Sequence, residues 1–260
     1  MDILKVSSVV FSPTGATEKT CQTIAKGLPY KNEVFDITPL EARKKSLTFD
    51  KNQLVIIGVP VYGGRVPAPA ALTISKMKGD HTPAVLIATY GNRDYDDTLL
   101  ELKSIITKNG FTVVAAATFV TEHSIMHSVA PGRPDLRDME KMQDLASLLR
   151  EKLQKYTDIT KMPEVFVKGN LPFKTYAGIP LKPQSSKLCN RCGECAKGCP
   201  VGAISKSDPR KTNKELCISC MRCVKVCPSK ARSVNKLLLS VAESSFHKKY
   251  NTRRYPELFI

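Results

Sequence analysis

The chain has 260 residues, 42% hydrophobic and 25% charged, with 40 Lys+Arg against 24 Asp+Glu and a formal net charge of +16. That length carries one full-sized core and a smaller second one, and the composition excludes a disordered or fibrous chain. No apolar run approaches the ~18 residues of a membrane span, and Met1 to Phe11 runs into a Pro-Thr-Gly turn rather than a small-residue cleavage site, so the expected location is cytoplasmic.

Residues 1–156 alternate short apolar runs with helical periodicity, the pattern of an α/β fold with a parallel sheet covered on both faces. Five strands are expected, at Lys5–Phe11, Glu33–Ile37, Leu54–Val59, Ala84–Thr89 and Thr112–Phe119. All but the second are nearly continuous apolar runs, as doubly buried strands require. Helices are expected over Thr17–Leu28, Pro69–Met77, Tyr95–Asn109 and Asp135–Tyr156, the last with Leu136, Met139, Met142, Leu145, Leu148 and Leu149 as its apolar positions. Residues 157–187 lose periodicity and gain prolines, lysines and glycine turns, which reads as an ordered linker. In residues 235–260, Asn235–Tyr250 suits a helix anchored by Leu237, Leu238, Val241 and Phe246, followed by a basic tail.

Residues 188–234 contain a repeat. Cys189, Cys192, Cys195, Cys199 and Pro200 recur 28 positions later as Cys217, Cys220, Cys223, Cys227 and Pro228. Each half has the spacing Cys-x2-Cys-x2-Cys-x3-Cys-Pro, the run associated with 4Fe-4S ligation. Three closely spaced thiolates wrap three corners of a cubane, and the fourth corner needs a ligand from elsewhere. Zinc or buried free thiols are the alternatives, but structural zinc favours paired two-cysteine hooks, which a third cysteine disturbs. The repeat resembles bacterial-type two-cluster ferredoxins, a small α+β domain. The resemblance implies two [4Fe-4S] clusters with crossed ligation: Cys189, Cys192 and Cys195 with Cys227, and Cys217, Cys220 and Cys223 with Cys199.

After the first strand, Ser12-Pro13-Thr14-Gly15-Ala16-Thr17 opens a helix with small hydroxyl residues and a glycine, suited to wrapping backbone N–H groups around a phosphate. A Walker A order is absent, and no Gly-x-Gly-x-x-Gly occurs. Ser12, Thr14, Gly15 and Thr17 make the loop similar to that of flavodoxins, with Ala16 in place of a common asparagine. This resemblance implies a doubly wound sheet of order 2-1-3-4-5 with FMN at the carboxyl ends of its strands. The two loops then expected to frame the flavin are Pro60-Val61-Tyr62-Gly63-Gly64-Arg65-Val66-Pro67 and Thr89-Tyr90-Gly91-Asn92-Arg93-Asp94-Tyr95. Tyr62 and Tyr90 are the expected ring neighbours, and backbone from Gly63, Gly64, Gly91 and Asn92 faces its polar edge. Arg65 and Arg93 are candidates to stabilise a reduced, anionic flavin.

Cys21 falls among Ile24, Ala25 and Leu28 at helical spacing and reads as a core residue. His123 and His127 read as loop histidines. Residues 1–150 carry 18 Lys+Arg against 16 Asp+Glu, and residues 151–260 carry 22 against 8, so the cysteine half holds most of the positive charge. Known two-cluster ferredoxins are acidic, and the departure makes an acidic redox partner the expected complement; without a recognised motif, nucleic acid is not expected. Both resemblances together imply a flavodoxin-ferredoxin fusion of the kind found in anaerobes, an oxidoreductase-type electron carrier. An FMN-dependent reductase of a quinone or nitro compound, and a redox-sensing interaction protein, are the two other readings.

Overall fold

The computed structural model describes residues 2–260. The elements in chain order are β1 (Lys5–Val10), α1 (Ala16–Lys26), β2 (Asn32–Asp36), β3 (Thr48–Phe49), β4 (Gln53–Pro60), α2 (Ala68–Ile74), β5 (Lys78–Gly79), β6 (Thr82–Tyr90), α3 (Thr98–Thr107), β7 (Phe111–Val120) and α4 (Leu136–Lys155). Then come β8 (Gln184–Ser185), α5 (Glu194–Lys197), α6 (Arg222–Lys225), β9 (Arg232–Ser233), α7 (Lys236–Tyr250) and β10 (Glu257–Phe259).

The main sheet has the order β10-β7-β6-β4-β1-β2. Its five long strands are parallel and, counted among themselves, run 2-1-3-4-5, a flavodoxin-like order. The sheet is six-stranded rather than five-stranded: Glu257, Leu258 and Phe259 from the tail pair antiparallel with Thr118, Ala117 and Ala116 of β7. The tail thus covers an edge that would otherwise expose unpaired backbone groups.

Alternating side chains of each strand enter two cores. Val9, Ile57 and Leu86 pack with Ile74, Leu99 and Ile106 on the α2/α3 face. Val10, Ile56 and Ile87 pack with Cys21, Ile24, Leu145 and Leu149 on the α1/α4 face. A fully buried Leu or Ile contributes ~1.5–3 kcal/mol, so these two layers dominate the stability of this half.

Along α4 the buried positions are Met142, Leu145, Ala146, Leu149 and Leu153, while Leu136, Met139 and Leu148 are exposed, contrary to the expected apolar face. The helix begins with a capping box, in which Asp135 accepts from the Asp138 N–H and Asp138 accepts from the Asp135 N–H. Near its end, buried Lys152 donates to the Val114 carbonyl at 3.0 Å. Val114 is the extra residue where the β6–β7 register shifts, so the lysine satisfies a carbonyl that the bulge frees.

Residues 157–187 lie along α3 and the top of the sheet. Lys103 holds the Val165 carbonyl at 2.8 Å, and the Asp97 carboxylate accepts the N–H groups of Asn170 and Lys174 at 2.8 and 2.6 Å. A third apolar cluster joins Ile125, Met126 and Val129 to Leu181, Met221 and Val234, with Leu239, Ala242 and Phe246 of α7 against it. Leu237, Leu238 and Val241, expected as anchors of that helix, are exposed.

Candidate functional site

A cavity of about 310 Å3 opens at the carboxyl ends of β1, β4, β6 and β7, where the strand order reverses direction. Thr14, Ala16, Thr17, Pro60, Tyr62, Gly63, Gly64, Thr89, Tyr90 and Gly91 all line it. Three loops separated in sequence therefore share one wall.

The first loop is held from behind. Its Ser12 N–H donates to Thr38 Oγ1 at 2.7 Å, and Ser12 Oγ accepts the Glu18 N–H at 3.0 Å, so Ser12 braces the loop without lining the cavity. Gly15 has φ +92° and no heavy atom within 4 Å of where a β-carbon would sit, so the left-handed turn, and not space, accounts for glycine there. Among the described residues, the N–H groups of Thr14, Ala16 and Thr17 have no protein partner. They stand at the positive end of α1, a donor set that fits a phosphate. Thr17 and Thr89 hydroxyls meet at 2.7 Å and tie this loop to the β6 loop.

The other two loops provide flat, close approaches. Gly63 and Gly64 have φ +62° and +89°, and a β-carbon on Gly63 would collide with the Tyr176 ring. A β-carbon on Gly91 would collide with His123. Tyr90 is buried and packs edge-on to Tyr95, with ring centroids 5.8 Å apart. Burial, and secondarily the nearby Cys220, pushes the Tyr62 hydroxyl well above its ordinary range. These aromatic and backbone surfaces fit a planar heterocycle.

Asn92 is placed differently from the other expected residues. Its side chain donates to the Tyr250 and Thr252 carbonyls at 2.6 and 2.8 Å and accepts from the Arg254 N–H, so it fastens the tail and stands off the cavity wall. Arg65 is engaged by Glu101 through two hydrogen bonds of 2.7 and 2.8 Å and lies over Phe173, away from this cavity. Arg93 lines the cavity but is paired with Asp96.

The wall also contains residues that sequence reasoning missed. His123 comes from the loop after β7, Tyr176 and Ile179 from segment 157–187, Phe246 from α7, and Ile218 and Ser219 from the second cysteine run. His123 is no solvated loop histidine. Its Nδ1 accepts the N–H groups of Ile125 and Met126 at 3.2 and 3.0 Å, leaving the proton on Nε2, and burial lowers its pKa to about 4. The aromatic in Tyr176-Ala177-Gly178 was the available signal for this further segment, matching the pattern seen after β4 and β6.

The two cysteine runs meet, with Cys195 and Cys199 of the first packed against Cys217 and Cys223 of the second. Cys199, Cys217, Cys220 and Cys223 together line a small apolar cavity, so the last cysteine of the first run sits with the first three of the second. Reciprocally, Cys189 lies close enough to Cys227 for their charges to interact. Burial pushes the Cys220 and Cys223 thiols up to about 12, a barrier to ionisation that metal ligation removes. Cys189 is shifted down by hydrogen bonding from Ser185 and then from the backbone. Cys199 and Cys227 each accept an N–H four residues on, from Ala203 and Ala231, both at 3.3 Å. Thiolates gathered in apolar surroundings with backbone donors on sulfur suit an iron-sulfur centre.

Residues 188–232 match the family described as 4Fe-4S dicluster domain. No curated protein matches the chain. Among solved structures, it is similar to a flavodoxin from the domain Archaea, at 14% identity and a TM-score of 0.43, covering 58% of this chain and 99% of that one. A Streptococcus pneumoniae TIGR4 flavodoxin gives 14% identity and 0.39 over 58% and 99%. A Fusobacterium nucleatum flavodoxin bound to flavin mononucleotide gives 13% identity and 0.37 over 58% and 98%. The fold assignment rests on the strand order described above. With that order in its first half and the dicluster match in its second, the chain is a flavodoxin-like α/β domain fused to a ferredoxin-type 4Fe-4S domain.

Proposed function

We propose that the protein carries electrons between FMN in the cavity and a redox partner, through two 4Fe-4S clusters held by the crossed cysteine groups. In this reading Cys199, Cys217, Cys220 and Cys223 hold the cluster nearer the flavin, and Cys189, Cys192, Cys195 and Cys227 hold the one farther out. One observation carries it: Ile218 and Ser219, between the ligands Cys217 and Cys220, form part of the flavin cavity wall.

The N–H groups of Thr14, Ala16 and Thr17 would hold the phosphate, and Tyr62, Tyr90 and the Gly63, Gly64 and Gly91 backbone would face the ring. FMN exchanges one or two electrons and each cluster one, so the pair joins one-electron and two-electron chemistry. Tyr62, Tyr176 and Phe246 keep water from the ring, and the Ala203 and Ala231 N–H groups stabilise charge on the ligating sulfurs. Cys192 of the outer group is exposed and none of Cys199, Cys217, Cys220 and Cys223 is, which supports an order from interior to surface. Lys187, Arg191 and Lys197 surround the outer group in sequence, and their charge favours an acidic partner.

We divide the chain accordingly into a flavin domain (1–156), a linker (157–187), a dicluster domain (188–234) and a helix with tail (235–260). Anaerobic purification with iron, sulfide and flavin quantitation tests the assignment. About eight iron and one FMN per chain support it. Full clusters without flavin binding remove its flavin half.

A further inference from the structure

The two cysteine runs superpose in sequence at an offset of 28, which places Arg191 and Ser219 at equivalent positions, each just before the second cysteine of its run. Both have left-handed backbone, with φ +59° and +55°. The shared conformation belongs to the cluster-binding loop. The side chains, however, diverge. Arg191 is exposed, whereas Ser219 is 5% exposed and lines the flavin cavity. Its Oγ is buried with no hydrogen-bond partner among the described residues. A buried hydroxyl without a partner is destabilising, and one that faces a cavity is satisfied by ordered water or by a ligand held there.

We propose that the Ser219 hydroxyl hydrogen-bonds the flavin, so that the loop ligating the nearer cluster is itself part of the flavin site. The inference rests on FMN occupying the cavity. It adds that flavin binding depends on this loop being wrapped around its cluster: Cys217 and Cys220 fix the backbone that presents Ser219. The competing partner for the same hydroxyl is a sulfide of that cluster, and the two differ in which redox centre responds to its removal.

The test uses the anaerobically purified, cluster-loaded protein and its Ser219→Ala and Ser219→Gly variants. The glycine variant accepts the left-handed backbone and so guards against a folding defect. FMN affinity is measured by fluorescence titration of flavin-depleted, cluster-loaded protein, and midpoint potentials by optical and EPR titration. The expected result is roughly tenfold weaker FMN binding and a shifted flavin potential, with iron content and both cluster potentials unchanged. Unchanged FMN affinity and flavin potential would overturn the proposal, as would a shift confined to the cluster or loss of iron from both variants. If the unsubstituted protein binds no FMN, the flavin assignment fails; if it binds FMN and the variants match it, only the role of Ser219 fails.

Discussion

Arg43 donates to the carbonyl of Pro200, the residue that follows Cys199, while also holding the Thr38 and Ile37 carbonyls at 2.7 and 3.1 Å. One guanidinium thereby pins the cluster loop to the segment behind the phosphate loop. Desolvation lowers its pKa, and attraction to Cys199 partly offsets that. Reduction adds negative charge to a cluster, and a nearby cation favours the reduced form. Arg43→Met is therefore expected to lower the potential of the nearer cluster by tens of millivolts, on the order of 1 kcal/mol. Arg43→Lys is expected to have a smaller effect. EPR-monitored titration checks both, and equal potentials in all three proteins would refute the electrostatic role.

The proposed crossed ligation would make the two runs separable. Cys227→Ser is expected to remove the outer cluster and leave about four iron per chain, with the flavin and the nearer cluster still exchanging electrons. Cys199→Ser is expected to remove the nearer one and to slow flavin reduction through the outer cluster. Iron analysis and stopped-flow absorbance distinguish this from uncrossed ligation, for which the two outcomes are exchanged.

The tail is fixed by buried charge. Asp138 is fully buried and pairs with Arg133, which is itself 5% exposed, while Arg253 reaches Asp135 at 2.6 Å and Asp138 at 3.8 Å. Arg133 also donates to the Arg254 carbonyl at 3.1 Å. Asp138→Ala strands a buried arginine and is expected to cost about 3–5 kcal/mol. Asp135→Ala, in a partly exposed pair, is expected to cost about 1 kcal/mol through the lost helix cap. Denaturant unfolding of the two variants measures the difference.

His123 sets a pH dependence. Its folded pKa of about 4 lies below the ordinary value of 6.5, because burial disfavours the cation. His127 adds to the shift and Glu243 opposes it. The unfolded chain binds the proton first as pH falls, so stability is full above pH ~6.5 and declines towards pH ~4. From these two values, about 2 kcal/mol is lost by pH ~5. His123→Gln is expected to remove that part of the decline. Thermal unfolding of both proteins near pH 7 and near pH 5 provides the comparison.

Local patterns made much of this molecule legible. The apolar runs at Leu54–Val59 and Ala84–Thr89 are long enough to be strands regardless of context, and the cysteine spacing specifies its own chemistry. Asp135 and Asn235 cap their helices as their residue types predict. What escaped depends on partners distant in sequence. Leu237, Leu238 and Val241 are as apolar as Leu239, Ala242 and Phe246, and the choice of buried face is made by Met221 and Leu181 across the interface. Glu257–Phe259 is too short for a period-two pattern, and only the vacant edge of β7 makes it a strand. Asn92 sits in a flavin-type loop, but its amide is taken by carbonyls about 160 positions later.

The strand formed by Glu257–Phe259 changes what kind of fusion this is. Because α4 precedes the cysteine region and β10 follows it, both on one sheet, the cluster-bearing segment is an insertion anchored at two ends. A domain on a single linker swings, and its transfer rate follows how often it docks. Here the chain enters and leaves through the same body, so in the proposed function the separation of the redox centres would be set by the fold. Electron exchange between them is therefore expected to be insensitive to solvent viscosity, leaving the encounter with an outside partner as the only diffusive event.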